Sequence, residues 1–188
     1  MTNTRLIDDL RPPLEDGFMY RPASVLLLVY PRGGEEHVVF IRRPETMEHH
    51  KGQISLPGGA QDPTDPDSVY TALREAQEEL GIDPGVVEVL GTMPPVYARV
   101  SAFVITTVIG RLKDLQASND LVFNPNHYEV AEVIEVPLSA LRAPANHRIE
   151  QRTAGSFTYN IHFYTYGPYE IWGATGRILY EFLTSWKL

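Results

Sequence analysis

The sequence predicts a mixed α/β or α+β sandwich, in which helices and strands are intermixed within one compact unit. The chain has 188 residues, which suits one domain with a substantial core. Runs rich in β-forming residues, either continuously apolar or alternating, recur along its length and predict strands. Apolar residues at helical spacing occupy two other stretches. No repeat, low-complexity segment or linker interrupts this pattern, so we expect a single domain over residues 1–188, with an N-terminal extension over about residues 1–20.

The first predicted elements are a short helix and a β-hairpin. Residues 4–10 predict the helix, which Pro12 and Pro13 would end. Residues 23–31 form a continuous apolar run bounded by prolines, which is typical of a buried strand. Residues 37–44 follow a glycine-containing turn and predict the second strand of the hairpin.

The later elements are mostly strands. Two are predicted at residues 86–93 and 101–112, and residues 129–141 predict a strand that leads into a short helix. Residues 156–166 alternate and are rich in aromatic β-formers. Residues 172–186 predict an amphipathic helix. Three of its side chains are expected in the core, namely Trp172, Ile178 and Leu179.

The composition excludes several classes of function. A net charge of −8 and a pI near 5.2 disfavour binding to a nucleic-acid backbone, which needs clustered cations. A small phosphorylated substrate is still compatible if a metal ion screens the two negative partners. The absence of cysteine excludes disulfides and Cys-ligated zinc. The first 16 residues lack an apolar signal core, and no apolar run reaches the ~18 residues of a membrane span, so we expect a soluble, cytoplasmic protein.

A further helix is predicted between residues 65 and 81. Asp65 can cap its N-terminus, Pro66 fits its first position, and Gly81 supplies the stop. An apolar stripe at helical spacing would face the core through Ala72, Leu73, Ala76 and Leu80.

Three glutamates share one face of this helix. Glu75, Glu78 and Glu79 stand at positions i, i+3 and i+4, where bare carboxylates repel one another. One interpretation is a solvated acidic face, and the other is a site for a hard divalent cation, which prefers oxygen ligands. Arg74 could orient a carboxylate, and a Pro-Gly-Gly turn at residues 57–59 (the glycine turn) would let backbone approach a cation or phosphate. This context favours the metal.

The same stretch resembles the Nudix box, written G-x5-E-x7-R-E-U-x-E-E-x-G-U with U aliphatic. The matching residues are Gly59, Arg74, Glu75, Ala76, Glu78, Glu79, Gly81 and Ile82. The chain departs from the pattern in having Asp65 for the early Glu, with eight residues between it and Arg74, and in having the small Ala76 for U. We interpret Asp65 as a helix cap.

The resemblance implies a Nudix-type α/β/α sandwich with a mixed central sheet. It implies Mg2+ or Mn2+ bound by Glu75, Glu78 and Glu79, Arg74 within the catalytic set, and hydrolysis of a nucleoside diphosphate linked to a second group. The general base lies in the box in some family members and in a later loop in others. Two later carboxylates are candidates for a base or an added ligand, Glu129 and Glu132, and Glu129 is preferred.

The segment ahead of the box resembles that of the coenzyme A diphosphatase branch. The matching residues are Arg43, His50, Gly52, Gln53, Ser55, Pro57, Gly58 and Gly59, and the departures are Ile41, Pro44, Met47 and Leu56. The resemblance implies cleavage of coenzyme A to 3′,5′-ADP and 4′-phosphopantetheine. The substrate-binding residues would be Arg43, His50, Gly58 and Gly59, whereas Arg42 and Lys51 are interpreted as surface cations.

Two other functions are left open by these departures. One is a Nudix hydrolase of ADP-ribose, dinucleotides or (d)NTPs, and the other is a non-catalytic module that senses a nucleotide. The second is disfavoured because the box keeps its Arg and its three Glu residues. Nudix proteins often form homodimers, so a homodimer is one expected state, while no nucleic-acid or membrane partner is expected.

Overall fold

The structure, a computed structural model, describes residues 5–6, 19–46, 51–98, 101–112, 122–154 and 157–186. The strands are β1 (Arg5–Leu6), β2 (Arg21–Arg32), β3 (Glu35–Arg42), β4 (Ile54–Ser55), β5 (Gly58–Ala60), β6 (Val87–Thr92), β7 (Val96–Ala98), β8 (Phe103–Leu112), β9 (Glu132–Pro137), β10 (His147–Ala154), β11 (Phe157–Tyr166) and β12 (Tyr169–Ile171). The helices are α1 (Ser68–Leu80), α2 (Leu138–Arg142) and α3 (Gly173–Ser185), and short 3-10 turns occupy Pro84–Val86 and Pro144–Asn146.

The larger sheet of the described residues has eight strands and is mixed. Its main path runs β4-β3-β2-β8-β6, while β5, β7 and β9 pair with β2, β8 and β3 respectively. Strands β2 and β8 are parallel, and the other pairs of this sheet are antiparallel. The hairpin expected from residues 23–44 is the pair β2–β3, which turns at residues 33–34.

Strand β2 divides its side chains between two apolar layers. Leu26 and Leu28 pack in the cluster that contains the apolar face of α1. Leu27 and Val29 point the other way, into the cluster that contains the apolar face of α3. Successive side chains of a strand alternate between faces, so a run that is apolar at every position fits a sheet covered on both sides. The α/β/α sandwich with a mixed central sheet is therefore confirmed.

A second sheet lies on the α3 side and was not expected as a separate layer. Strands β1, β11 and β10 follow one another in it, and β12 also pairs with β11. It packs on α3 closely, because a Cβ added at Gly176 would stand 2.2 Å from the carbonyl oxygen of His162. Tyr164 and Ile171 of this sheet are buried in the same apolar cluster as the residues of α3.

Two sequence expectations are wrong in this region. The helix expected at residues 4–10 is not formed at Arg5 and Leu6, which pair in parallel with β11, and residues 7–10 lie outside the described residues. Pairing with an existing strand outweighs a weak local helical preference. Trp172 is 43 % exposed instead of buried and stacks on Phe163, whereas Ile178 and Leu179 are buried as expected. Among the described helices, none is long and apolar enough to cross a membrane.

Candidate active site

Helix α1 begins two residues later than the sequence predicted. The N-cap is Asp67, whose side chain accepts a hydrogen bond of 2.8 Å from the Tyr70 backbone N–H. Asp65 is therefore not the cap, and Pro66 lies ahead of the helix instead of at its first position. Both aspartates satisfy the local rule for a cap, so spacing alone did not separate them. The C-terminus is as predicted, with Gly81 in the left-handed conformation at φ 71°.

Asp65 instead holds Arg74. The two side chains form a bidentate ion pair, with Nε to Oδ1 at 3.1 Å and Nη2 to Oδ2 at 3.0 Å. Asp65 also accepts hydrogen bonds from the Thr71 hydroxyl and the Asp62 N–H, at 2.9 and 3.0 Å. The Arg74 guanidinium is the main cause that lowers the pKa of Asp65 to about 2. The early acid of the box thus orients the box arginine.

Arg74 in turn contacts two of the three α1 carboxylates. Its Nη2 lies 2.9 Å from Oε1 of Glu75, and its Nη1 donates at 2.9 Å to Oε2 of Glu78. Nη2 also lies within 3.3 Å of the Ala60 carbonyl, next to the glycine turn. One cation therefore contacts two neighbouring carboxylates and offsets part of the repulsion between them.

Glu79 is the buried member of the set. Its side chain is only 3 % exposed, and Oε2 accepts a 2.8 Å hydrogen bond from the Gly58 N–H. The Arg43 guanidinium lies 3.9 Å from Oε1. Burial raises the pKa of Glu79 to about 8, against the opposing effects of the Gly58 N–H and Arg43.

The glycine turn lies between α1 and β2. Gly58 pairs with Val25 and has φ +150°, and a Cβ there would stand 2.3 Å from the Ser24 carbonyl oxygen. A Cβ at Gly59 would stand 2.5 Å from Oε2 of Glu75, so that carboxylate rests directly on bare backbone. Burial raises the pKa of Glu75, while Arg74 opposes this change.

The structure adds a second wall, the loop of residues 122–130. The N–H groups of Asn124 and Asn126 donate to the carbonyls of Leu80 and Glu79, at 2.9 and 3.0 Å. This loop presents Glu129, which is exposed and close enough to Glu75 and Glu79 that its charge contributes to raising the pKa of both. The structure thus places Glu129 on the loop bonded to the end of α1, within electrostatic range of Glu75 and Glu79.

Other sequence candidates are placed differently. Glu132 is bonded to Arg42 Nε at 2.9 Å and to the Tyr169 hydroxyl at 2.5 Å, and these bonds lower its pKa. Arg42 therefore has a structural partner, and Lys51 is exposed, in line with their interpretation as surface cations. His50, expected to bind substrate, lies outside the described residues.

Comparison with known proteins identifies the family. A family model of the NUDIX domain matches residues 19–154. The chain belongs to the Nudix family. It is 35 % identical over 173 residues to NudL of Enterobacter sp. (strain 638), named an uncharacterized Nudix hydrolase, covering 92 % of this chain and 86 % of that protein. It is 37 % identical over 164 residues to a mitochondrial coenzyme A diphosphatase of Mus musculus, NUDT8, covering 84 % and 75 %. The crystal structure of the Nudix hydrolase RenU from M. smegmatis is 27 % identical, with a TM-score of 0.51 over 65 % of this chain and 80 % of RenU.

The donor set of this Nudix hydrolase suits the divalent ions that the family generally uses. Carboxylate oxygens are the ligands that Mg2+ and Mn2+ prefer. Within the described residues, no three acidic or histidine side chains are already arranged around one point, because Glu75 and Glu78 are engaged by Arg74 and Glu79 by Gly58. The carboxylates nevertheless fit an ion, since their repulsion is only partly offset and the missing side chain at Gly59 lets the Glu75 carboxylate lie against the backbone of the glycine turn.

Proposed function

We propose that this Nudix hydrolase cleaves the diphosphate of coenzyme A or a derivative to 3′,5′-ADP and 4′-phosphopantetheine. The observation that carries the substrate is the 37 % identity, over 84 % of the chain, to a protein named as a coenzyme A diphosphatase. Residues 41–59 also support this substrate, because they resemble the segment ahead of the box in the coenzyme A diphosphatase branch. The segment ends in the glycine turn, and its Arg43 lies beside Glu79.

The α1 carboxylates would hold the metal. Glu75, Glu78 and Glu79 supply the oxygen ligands, and Mg2+ or Mn2+ bound there would neutralise diphosphate oxygens and lower the pKa of a water. Glu78 is the most accessible of the three, at 52 % side-chain exposure, and Arg74 must share it with the ion. Arg74 acts as the group that keeps the carboxylates oriented.

Glu129 is the proposed general base. Its carboxylate accepts a proton from the attacking water while the water oxygen bonds to phosphorus. The bond between phosphorus and the bridging oxygen breaks, and the bridging oxygen leaves with the electron pair of that bond. Arg43 is proposed to bind phosphate, because a guanidinium forms two directed hydrogen bonds to such groups. His50 is proposed as a further contact, and Gly58 and Gly59 would admit the substrate close to backbone.

The product assay tests the substrate directly. Purified protein is incubated with Mg2+ or Mn2+ and, separately, coenzyme A, ADP-ribose, NADH, a diadenosine polyphosphate and the dNTPs, and products are separated by chromatography. Coenzyme A should be hydrolysed fastest and should yield 3′,5′-ADP. Faster turnover of another substrate would contradict the coenzyme A assignment, and no turnover with either metal would favour the nucleotide-sensing alternative.

The metal site has a matched control within the chain. Arg74–Glu78 and Arg177–Glu181 are both Arg–Glu pairs at i, i+4 on a helix. Glu78→Gln should reduce kcat by at least about 100-fold through loss of a metal ligand, while Glu181→Gln should leave it within about 2-fold. Equal effects of the two substitutions would contradict a metal at Glu78.

Arg43 can be tested with a substrate that lacks one phosphate. Arg43→Ala should raise KM for coenzyme A by about 10-fold, the equivalent of one charged hydrogen bond. The rise should be smaller for dephospho-coenzyme A if Arg43 contacts the 3′-phosphate. Lys51→Ala, which removes an exposed cation nearby in sequence, is the control.

The cytoplasmic location, the homodimer and the single domain over residues 1–188 stay predictions.

A further inference from the structure

We propose that Asn126 is a positioning residue that holds the Glu129 carboxylate toward the α1 carboxylates. This inference rests on the proposed function, because it concerns the side chain assigned as general base. It assigns a role to a residue that the box and the segment ahead of it do not contain.

The backbone of Asn126 ties the loop to α1. Its N–H donates to the carbonyl of Glu79 at 3.0 Å, so the loop is fastened to one of the proposed metal-binding residues itself. Its carbonyl accepts from the N–H groups of Glu129 and Val130, at 2.9 and 2.8 Å. Val130 is fully buried in the α1 cluster, which anchors the far end of the turn.

The side chain of Asn126 completes the arrangement. Oδ1 accepts a 3.2 Å hydrogen bond from the Tyr128 N–H, and Nδ2 donates to Oε1 of Glu129 at 3.3 Å. An ionised carboxylate only accepts, so the amide NH2 must face Glu129 and the oxygen must face Tyr128. A single side chain must therefore supply an acceptor and a donor, which an amide does and a carboxylate does not.

Glu129 needs such a partner because nothing else among the described residues around it fixes its direction. It is exposed, and its long side chain can turn toward water and away from the nearby Glu75 carboxylate. The hydrogen bond from Asn126 is a directional contact that opposes this motion. A base that acts on water must lie within hydrogen-bond reach of it, and hydrogen bonds of apo sites are often long before substrate binds.

Asn126→Asp isolates this contact. The aspartate keeps an acceptor for Tyr128 but places an oxygen beside Glu129, where repulsion replaces the hydrogen bond. Asn124→Asp is the matched control, since it adds the same charge to the same loop, which is also bonded to the end of α1. Kinetics are measured on the fastest substrate for both variants, for Glu129→Gln and for the double variant Asn126→Asp/Glu129→Gln.

The expected result is a loss in kcat that depends on Glu129. Asn126→Asp should lower kcat by about 10-fold, the lower end of effects seen for residues that orient a functional group, with KM within about 2-fold. In the Glu129→Gln background the same change should cost less than about 2-fold further, and Asn124→Asp should stay within about 2-fold of wild type. Equal losses in the two aspartate variants, or additive losses in the double variant, would overturn the inference.

A second measurement does not require turnover. With 13C-labelled glutamate, the carboxyl signal of Glu129 is assigned as the one lost in Glu129→Gln, and its broadening by Mn2+ alone is recorded. Wild type and Asn124→Asp should show strong broadening, and Asn126→Asp should show much less because the carboxylate turns away. Equal broadening in Asn126→Asp and wild type would overturn the inference. If wild type hydrolyses no substrate but the signal is still broadened strongly in wild type and weakly in Asn126→Asp, the proposed function fails and the inference about Asn126 stands.

Discussion

Glu79→Gln should stabilise the metal-free protein at pH 8. The Glu79 carboxylate is 3 % exposed and its pKa is raised to about 8, mainly by burial. A group whose pKa is raised on folding contributes stability that is fully present below the pKa of the unfolded chain and is lost as pH rises through the folded value. For Glu79 that window runs from about pH 4.3, the ordinary value for glutamate, to about 8.

The size of the effect follows from the shift. Each pKa unit corresponds to about 1.4 kcal/mol, so a rise of more than three units makes ionised Glu79 unfavourable by about 4 kcal/mol. Glutamine keeps the volume and an oxygen that can accept from the Gly58 N–H, but it carries no charge. With about 2–4 °C for each kcal/mol in a domain of this size, Tm of the variant should exceed that of wild type by about 8–16 °C at pH 8.

Thermal unfolding followed by circular dichroism measures this difference. Protein treated with a chelator is scanned at pH 5, 6, 7 and 8, and the gap between the two proteins should widen with pH. The control is Glu78→Gln, the same change one residue earlier in α1 at a side chain that is half exposed. Added Mn2+ should raise Tm of wild type more than that of the Glu79→Gln variant, because Glu79 is one of the proposed metal ligands. A wild type as stable as the variant at pH 8 without metal would refute the reasoning.

The glycine turn and the early acid give further predictions. Gly58→Ala should prevent stable folding, because the added Cβ would meet the backbone of β2. Gly59→Ala should fold, as judged by circular dichroism. Its affinity for Mn2+, measured by calorimetry, should fall because the added Cβ displaces the Glu75 carboxylate. Two variants with equal Tm and equal Mn2+ affinity would contradict this. Asp65→Asn should lower Tm at pH 7, but the difference from wild type should shrink as pH falls through 4 toward 2, where the depressed pKa of Asp65 is titrated and its pair with Arg74 is lost. A pH-independent difference would exclude that pair as the cause.

The central fold could be predicted because its signals are local and strong. Within the strand predicted at residues 23–31, residues 26–30 are apolar at both alternating sets of positions, and the structure buries all five. The box helix was recognised from spacing, and its stop at Gly81 needs only the left-handed conformation that glycine adopts readily. Each of these features depends on residues that are close together in the sequence.

The parts that were missed depend on distant partners. Strand β10 is mostly polar, and it is a strand because all eight of its residues pair with β11. Asp65 and Asp67 both fit a helix cap, and what separates their roles is that the guanidinium of Arg74, nine residues after Asp65, reaches Asp65. Glu132 resembled Glu129 as a candidate, but Arg42 and Tyr169 engage it from separate strands. A single sequence does not contain those distances.

Strand β2 links the candidate active site to both apolar layers, because its side chains pack in each of them. We therefore expect the two layers to unfold together. The glycine turn is paired with this strand at Ser24 and Val25. Backbone amides in residues 25–29 should exchange with solvent only when the whole chain unfolds, at rates set by global stability. We therefore expect the glycine turn, which is proposed to contact the substrate, to keep its shape, and adaptation to different substrates would fall to the loops around it.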